Sequence, residues 1–209
     1  MRALNFLAVL SLLSIVACGG GGGGGSKSQE RSSQMVEATP GTYYAVLRPV
    51  NIHSNGFLPY GQATFSLQND LLQVSTVLDD DQAVPHRQTL HMGSRCPSAS
   101  DDTNGDTFID YNEAMAVVGQ PVMPLDGDLN SQTAGEGVYP RGIGMTYNRS
   151  ASLSKINADL GMKVGFEGRV VLIHGTSFNP NLPTSIASFQ GEPAHISLPV
   201  VCGILKRID

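Results

Sequence analysis

The sequence predicts one mainly β domain over residues 38–209, an antiparallel β-sandwich with one short helix and one acidic loop inserted in it. Three observations carry this. Several short segments alternate apolar and polar residues at period two, only one segment has a helical period, and 24 glycines supply turns for many short strands. Roughly 170 residues suffice for one sizeable core, and no repeat at 20–50 residues points to a solenoid or propeller.

The chain opens with a secretory leader, residues 1–17, in which Arg2 precedes an apolar run too short for a comfortable transmembrane helix. Its end, Ile15-Val16-Ala17-Cys18, resembles the lipobox of bacterial lipoproteins. That resemblance implies cleavage before Cys18, lipid on its sulfur and a membrane reached through that lipid. The alternative is an ordinary leader with an incidental cysteine. Gly19 to Gly25 and the polar stretch to Gln34 have nothing to bury, so residues 18–37 form a flexible tether. By resemblance to lipoprotein sorting, Gly19 lacks the aspartate that favours inner-membrane retention. This places the protein in the cell envelope, on the outer membrane where there are two.

Strand signals begin at residues 42–47, rich in aromatic and branched side chains and ending near Pro49. Residues 61–67 and 71–78 alternate on either side of Asn69-Asp70, a turn-forming pair, and so predict a hairpin. Residues 168–174 carry an unbroken apolar run suited to a strand buried on both faces. Residues 194–198 and 200–205 read as further strands, with Pro199 marking a bulge or an edge. The one helix is expected over residues 152–160, where Leu153, Ile156 and Leu160 share a face and Gly161 caps the end.

The acidic loop, residues 102–113, carries the clearest chemistry. Counting from Asp102, side-chain oxygens fall at positions 1, 3, 5, 9 and 12: Asp102, Asn104, Asp106, Asp110 and Glu113. Phe108 supplies a backbone carbonyl at position 7 and Ile109 an apolar residue at position 8. This is the EF-hand spacing, and hard oxygen ligands in that number select Ca²⁺. Asp101, Asp102, Asp106, Asp110 and Glu113 have no Lys or Arg among them, so a divalent cation would relieve their repulsion. Position 6, which wants glycine for a sharp turn, holds Thr107, and a β-branched residue at positive φ costs roughly 1–2 kcal/mol. Residues 97–100 supply no incoming helix, so an isolated calcium loop is expected, of the weak kind found in extracellular modules. The alternative is an Asp/Asn-rich surface turn that binds nothing.

With Cys18 taken by lipid, Cys96 and Cys202 remain, and an oxidising compartment makes a disulfide their natural pairing. Two free thiols or a metal pair are the other readings. The formal charge of −5 offers no clustered basic surface for phosphates, so no nucleic-acid partner is expected. No Gly-x-Ser-x-Gly elbow, free nucleophilic cysteine or phosphate-cradling loop marks a common enzyme class.

Gly168-Arg169-Val170-Val171-Leu172-Ile173-His174, with Val201-Cys202-Gly203-Ile204-Leu205 after it, resembles the end of a copper/zinc superoxide dismutase domain. His86-Arg87-Gln88-Thr89-Leu90-His91, leading to Cys96, resembles that family's His-x-His strand. Residues 61–67 resemble an early strand of the related CHRD-type sandwich. The resemblance implies a superoxide dismutase-like or CHRD-like sandwich, with the same disulfide and a copper site near His91 and His174 that His86 or His195 would complete. Thr89 stands where the pattern has its first histidine, and no zinc-loop histidines match. A non-catalytic, calcium-binding envelope lipoprotein is therefore expected, with a structural role or an envelope or extracellular protein partner. A Cu²⁺-binding or dismutase-like enzyme with a degenerate site is the alternative.

Overall fold

The computed structural model describes residues 36–52, 56–129 and 138–209. The leader at 1–17, Cys18, the tether up to residue 35 and His53 lie outside the described residues. The strands are β1 (Gly41–Pro49), β2 (Tyr60–Gln68), β3 (Leu71–Asp79), β4 (Gln88–His91), β5 (Pro121–Pro124), β6 (Thr146–Ser152), β7 (Val170–His174), β8 (Pro199–Ile204) and β9 (Lys206–Arg207). The helices are α1 (Tyr111–Val118), α2 (Leu153–Leu160) and the single turn α3 (Ala194–Ser197).

All strands pair antiparallel in one curled sheet, ordered β5-β4-β7-β8-β1-β2-β3-β6, with β9 beside β1. The curl is made at β1. Its residues Tyr43 and Tyr44 pair with β9, whereas Arg48 and Pro49 pair with β8, so one strand edge serves both halves of the sheet. Gly203 sits at this junction, where a Cβ would meet the Val46 carbonyl oxygen at 2.6 Å. Only glycine lets the two backbones approach so closely.

The β2–β3 hairpin forms as the alternation predicts, in register from Tyr60↔Asp79 to Gln68↔Leu71. Asn69 and Asp70 both take positive φ (45° and 73°), the conformation of a two-residue turn that matches strand twist. Inward residues of both halves, among them Tyr43, Phe65, Leu72, Leu90 and Ile173, meet in one core. Phe166 packs against the rings of Tyr43 and Phe65. All five residues of β7 are buried. Val171 and Ile173 join the main core, while Val170 and Leu172 pack outward against Ile109, Ala114 and Val118 of the acidic loop and α1. The two-faced burial read from the apolar run thus has its cause in the inserted loop.

Cys96 and Cys202 form a disulfide across 106 residues, tying the segment before the loop to β8. Helix α2 matches the expectation, capped by Ser152, which accepts from the Lys155 amide, and ended by Gly161 in the left-handed region. Residues 194–198 are a correction. They form the turn α3 in place of a strand, because the amides of Ile196 and Ser197 bond back to the Pro193 carbonyl. Pro199 opens β8 opposite His174, where the register shifts, so the predicted irregularity is there. Among the described residues the single expected helix is likewise corrected to three α-helices and a 3-10 turn at Ala99–Asp101, since α1, α3 and that turn escaped the reading. The start of α1 is a capping box in which the Asp110 carboxylate accepts from the Glu113 amide and the Glu113 carboxylate from the Asp110 amide.

Candidate functional site

The acidic loop folds around its first and last carboxylates. Asp102 accepts from the amides of Gly105 (2.7 Å), Asp106 (3.2 Å) and Thr107 (2.8 Å). Glu113 reaches back to the amide (2.6 Å) and hydroxyl (2.8 Å) of Thr103. Asn104 and Asp106 each accept from the amide two residues on, making successive Asx turns. Thr107 takes φ of +73°, the left-handed turn that position 6 requires. The loop is clamped to the sheet by buried Asn51, whose side chain bonds both the amide (2.9 Å) and the carbonyl (2.8 Å) of Ile109 and the Pro199 carbonyl (2.7 Å).

Asp101 does not belong to the cluster. Its carboxylate makes a two-pronged pair with Arg95, both contacts at 2.8 Å, and that guanidinium, with the Ser98 amide, holds its pKa well below the usual carboxylate range. The expectation that no cation neutralises the five acids is corrected for this one. Among the described residues, Asp102, Asp106, Asp110 and Glu113 pair with no Lys or Arg. Burial opposes the charge on Asp106, but bonds from the Ser185 hydroxyl, the Phe108 amide and Asn104 outweigh it and lower its pKa. The Phe108 carbonyl accepts no hydrogen bond among the described residues. Among those residues no three His, Cys, Asp or Glu side chains form a ready metal cage. The carboxylates would close on an ion by exchanging some amide bonds for coordination.

Asp106 also accepts from the Ser185 hydroxyl and Asp110 from the Ala187 amide (2.9 Å), which fastens residues 185–190 beside the loop. A cleft of about 370 Å³ opens between that segment, α1, β4 and β5. On β4 and its approach, Arg87, Thr89 and His91 face the cleft, while the period of two sends Leu90 into the core. His174, at the end of β7, lines the same cleft, and its amide bonds the Arg87 carbonyl. Tyr111 enters as the first residue of α1, and Phe189 from the fastened segment.

Both cleft histidines are neutral. His91 Nδ1 donates to the Gly119 carbonyl (3.0 Å), so Nε2 accepts from the Thr89 hydroxyl (2.6 Å). His174 Nδ1 donates to the Ser197 carbonyl (2.7 Å), leaving Nε2 without a proton. Burial, set against the Gly119 bond and aided by the charge of Arg87, lowers the His91 pKa to about 4. Burial and Arg87 lower that of His174 further below the ordinary value.

The structure thus brings His91 and His174 to one cleft, but not His86. That residue is buried with its Nε2 3.9 Å from an Asp80 carboxylate oxygen, and it does not line the cleft. Residue 89 remains a threonine whose hydroxyl occupies the His91 ring. Sequence reasoning missed Arg87, Tyr111 and Phe189. The period-two phase from His91 through Thr89 reaches Arg87, and the Asp110–Glu113 capping spacing would have located Tyr111; nothing local marks Phe189. No protein-family model matches this chain, and no curated protein matches its sequence.

Proposed function

We propose that this protein is a lipid-anchored envelope protein, non-catalytic, whose β domain follows the superoxide dismutase-like or CHRD-like sandwich plan and whose loop at 102–113 binds Ca²⁺ as a stabilising ion. The observation that carries the calcium reading is the turn at Thr107. A β-branched residue is held at φ of +73° where the EF-hand spacing calls for a left-handed residue, and the neighbouring Phe108 carbonyl accepts no hydrogen bond among the described residues. The exiting helix α1 begins at loop position 10, supporting the same reading. For the sandwich plan, the support is the order of parts: β4 leads to Cys96, β7 ends on His174, and β8 carries Cys202-Gly203, bonded to Cys96. For the anchor, the support is the sequence around Cys18.

The copper reading has less behind it. Arg87 places a fixed positive charge beside His91 and His174, and the field that opposes a proton on those rings opposes Cu²⁺ as well.

Calcium is tested by melting the full chain in EDTA and in about 10 mM Ca²⁺. With a Kd near 1 mM, as in weak extracellular modules, mass action contributes about 1.4 kcal/mol and raises Tm by about 3–5 °C. Glu113→Gln removes one charged ligand and should abolish the rise; a wild-type curve indifferent to Ca²⁺ refutes the site. For the anchor, Cys18→Ala should move the protein from the membrane to the soluble fraction. Membrane retention of that variant would refute lipid attachment.

A further inference from the structure

We propose that the cleft between β4, β5, α1 and Phe189 is a binding site for a small organic carboxylate with an apolar or aromatic body, held by the guanidinium of Arg87.

Arg87 is only 7% exposed, yet its Nε and Nη2 atoms have no hydrogen-bond partner among the described residues. A guanidinium taken out of water without partners for its N–H groups is costly, and proteins rarely leave one so. The nearest carboxylate, Glu192, stops 3.8 Å from Nη2, beyond hydrogen-bonding distance, and its own oxygen is shared with the Ser197 hydroxyl. The guanidinium lies over aromatic rings, its carbon 4.1 Å from the ring centre of Phe189 and 5.4 Å from that of Tyr111. The two ring centroids are only 5.2 Å apart, so both rings flank the guanidinium on one side, and its adjacent Nε and Nη2 donors form the pair from which a carboxylate accepts.

The rest of the cleft fits the body of such a molecule. Val122 and Met123 line the cleft with apolar surface beside the rings of Tyr111 and Phe189, which line it too. A volume of about 370 Å³ falls in the range of small-molecule sites. The two histidines add no second positive charge, since burial and the charge of Arg87 keep both rings neutral. One cation with unused donors, set in an aromatic and apolar pocket, selects a monoanion with a hydrophobic body over a multiply charged or wholly polar one.

The test is calorimetric titration of the full chain with benzoate, benzamide and benzylammonium, which share a ring and differ in charge. Benzoate should bind with Kd on the order of a millimolar, and the other two at least about tenfold more weakly. Arg87→Met should weaken benzoate by about tenfold or more, whereas Glu192→Gln, which removes the competing carboxylate, should tighten it. Equal binding of benzoate and benzamide, or no heat from benzoate at about 50 mM, would overturn the proposal. So would undiminished benzoate binding by Arg87→Met. Should that variant not fold, the ligand series and Glu192→Gln still decide, and benzoate affinity unchanged in Glu192→Gln would count against Arg87 as the anchor.

Discussion

Thr107 stores strain that a single substitution should release. Its φ of +73° puts a β-branched side chain in the left-handed region, where L-residues pay roughly 1–2 kcal/mol. The side chain is exposed and its hydroxyl has no hydrogen bond among the described residues, while its amide bond to Asp102 survives any substitution but proline. Thr107→Gly removes the strain but gives the unfolded chain more freedom, a cost of about 0.5–1 kcal/mol. The balance is a gain of about 0.5–1 kcal/mol, or a Tm higher by about 1–4 °C for a domain of this size. Thr107→Ala keeps Cβ and therefore most of the strain, so it should give no such gain. Melting of the three proteins in EDTA measures the difference without help from calcium. A Thr107→Gly Tm at or below the wild-type value, or an equal gain in Thr107→Ala, would refute strain at this turn.

Other expectations follow from the same geometry. The Cys96–Cys202 bridge closes a loop of 106 residues, worth about 4–5 kcal/mol in the chain-entropy picture. The Cys96→Ala/Cys202→Ala double variant should melt roughly 10–20 °C lower, and an unchanged Tm would show that the bridge adds nothing. Acid should also weaken the fold through His91, whose pKa is about 4 in the folded protein against 6.5 when unfolded. Between those values the unfolded chain takes up the proton and the folded one does not, so stability falls as pH drops below 6.5. At pH 5 the His91 share of the loss is about 2 kcal/mol, with His174 acting in the same direction. Denaturation at pH 7.5 and pH 5 should show a smaller loss in His91→Gln than in wild type; parallel losses would exclude His91 as a source.

What the residues determined alone were the local, periodic features. Alternation at period two located β2 and β3, aromatic and branched content located β1, an unbroken apolar run located β7, and Asn69-Asp70 located the hairpin turn, because side-chain phase and turn dihedrals depend on near neighbours. The cysteine count pointed to the bond that forms, and the acidic spacing pointed to a loop whose turn at Thr107 has the predicted sign of φ. Tertiary structure decided the rest. Residues 194–198 have strand-like alternation, yet Pro193 turns them into a helix before β8 can start. Asp101 belongs by sequence to the acid run, but Arg95 takes it away. The cleft is made by residues at 87, 111 and 189, which no sequence interval relates. They meet because β4 pairs with β7, because Asn51 clamps the loop that begins α1, and because Asp106 and Asp110 draw in the segment that carries Phe189. Each of those is a contact across many residues, made only when the sheet has curled.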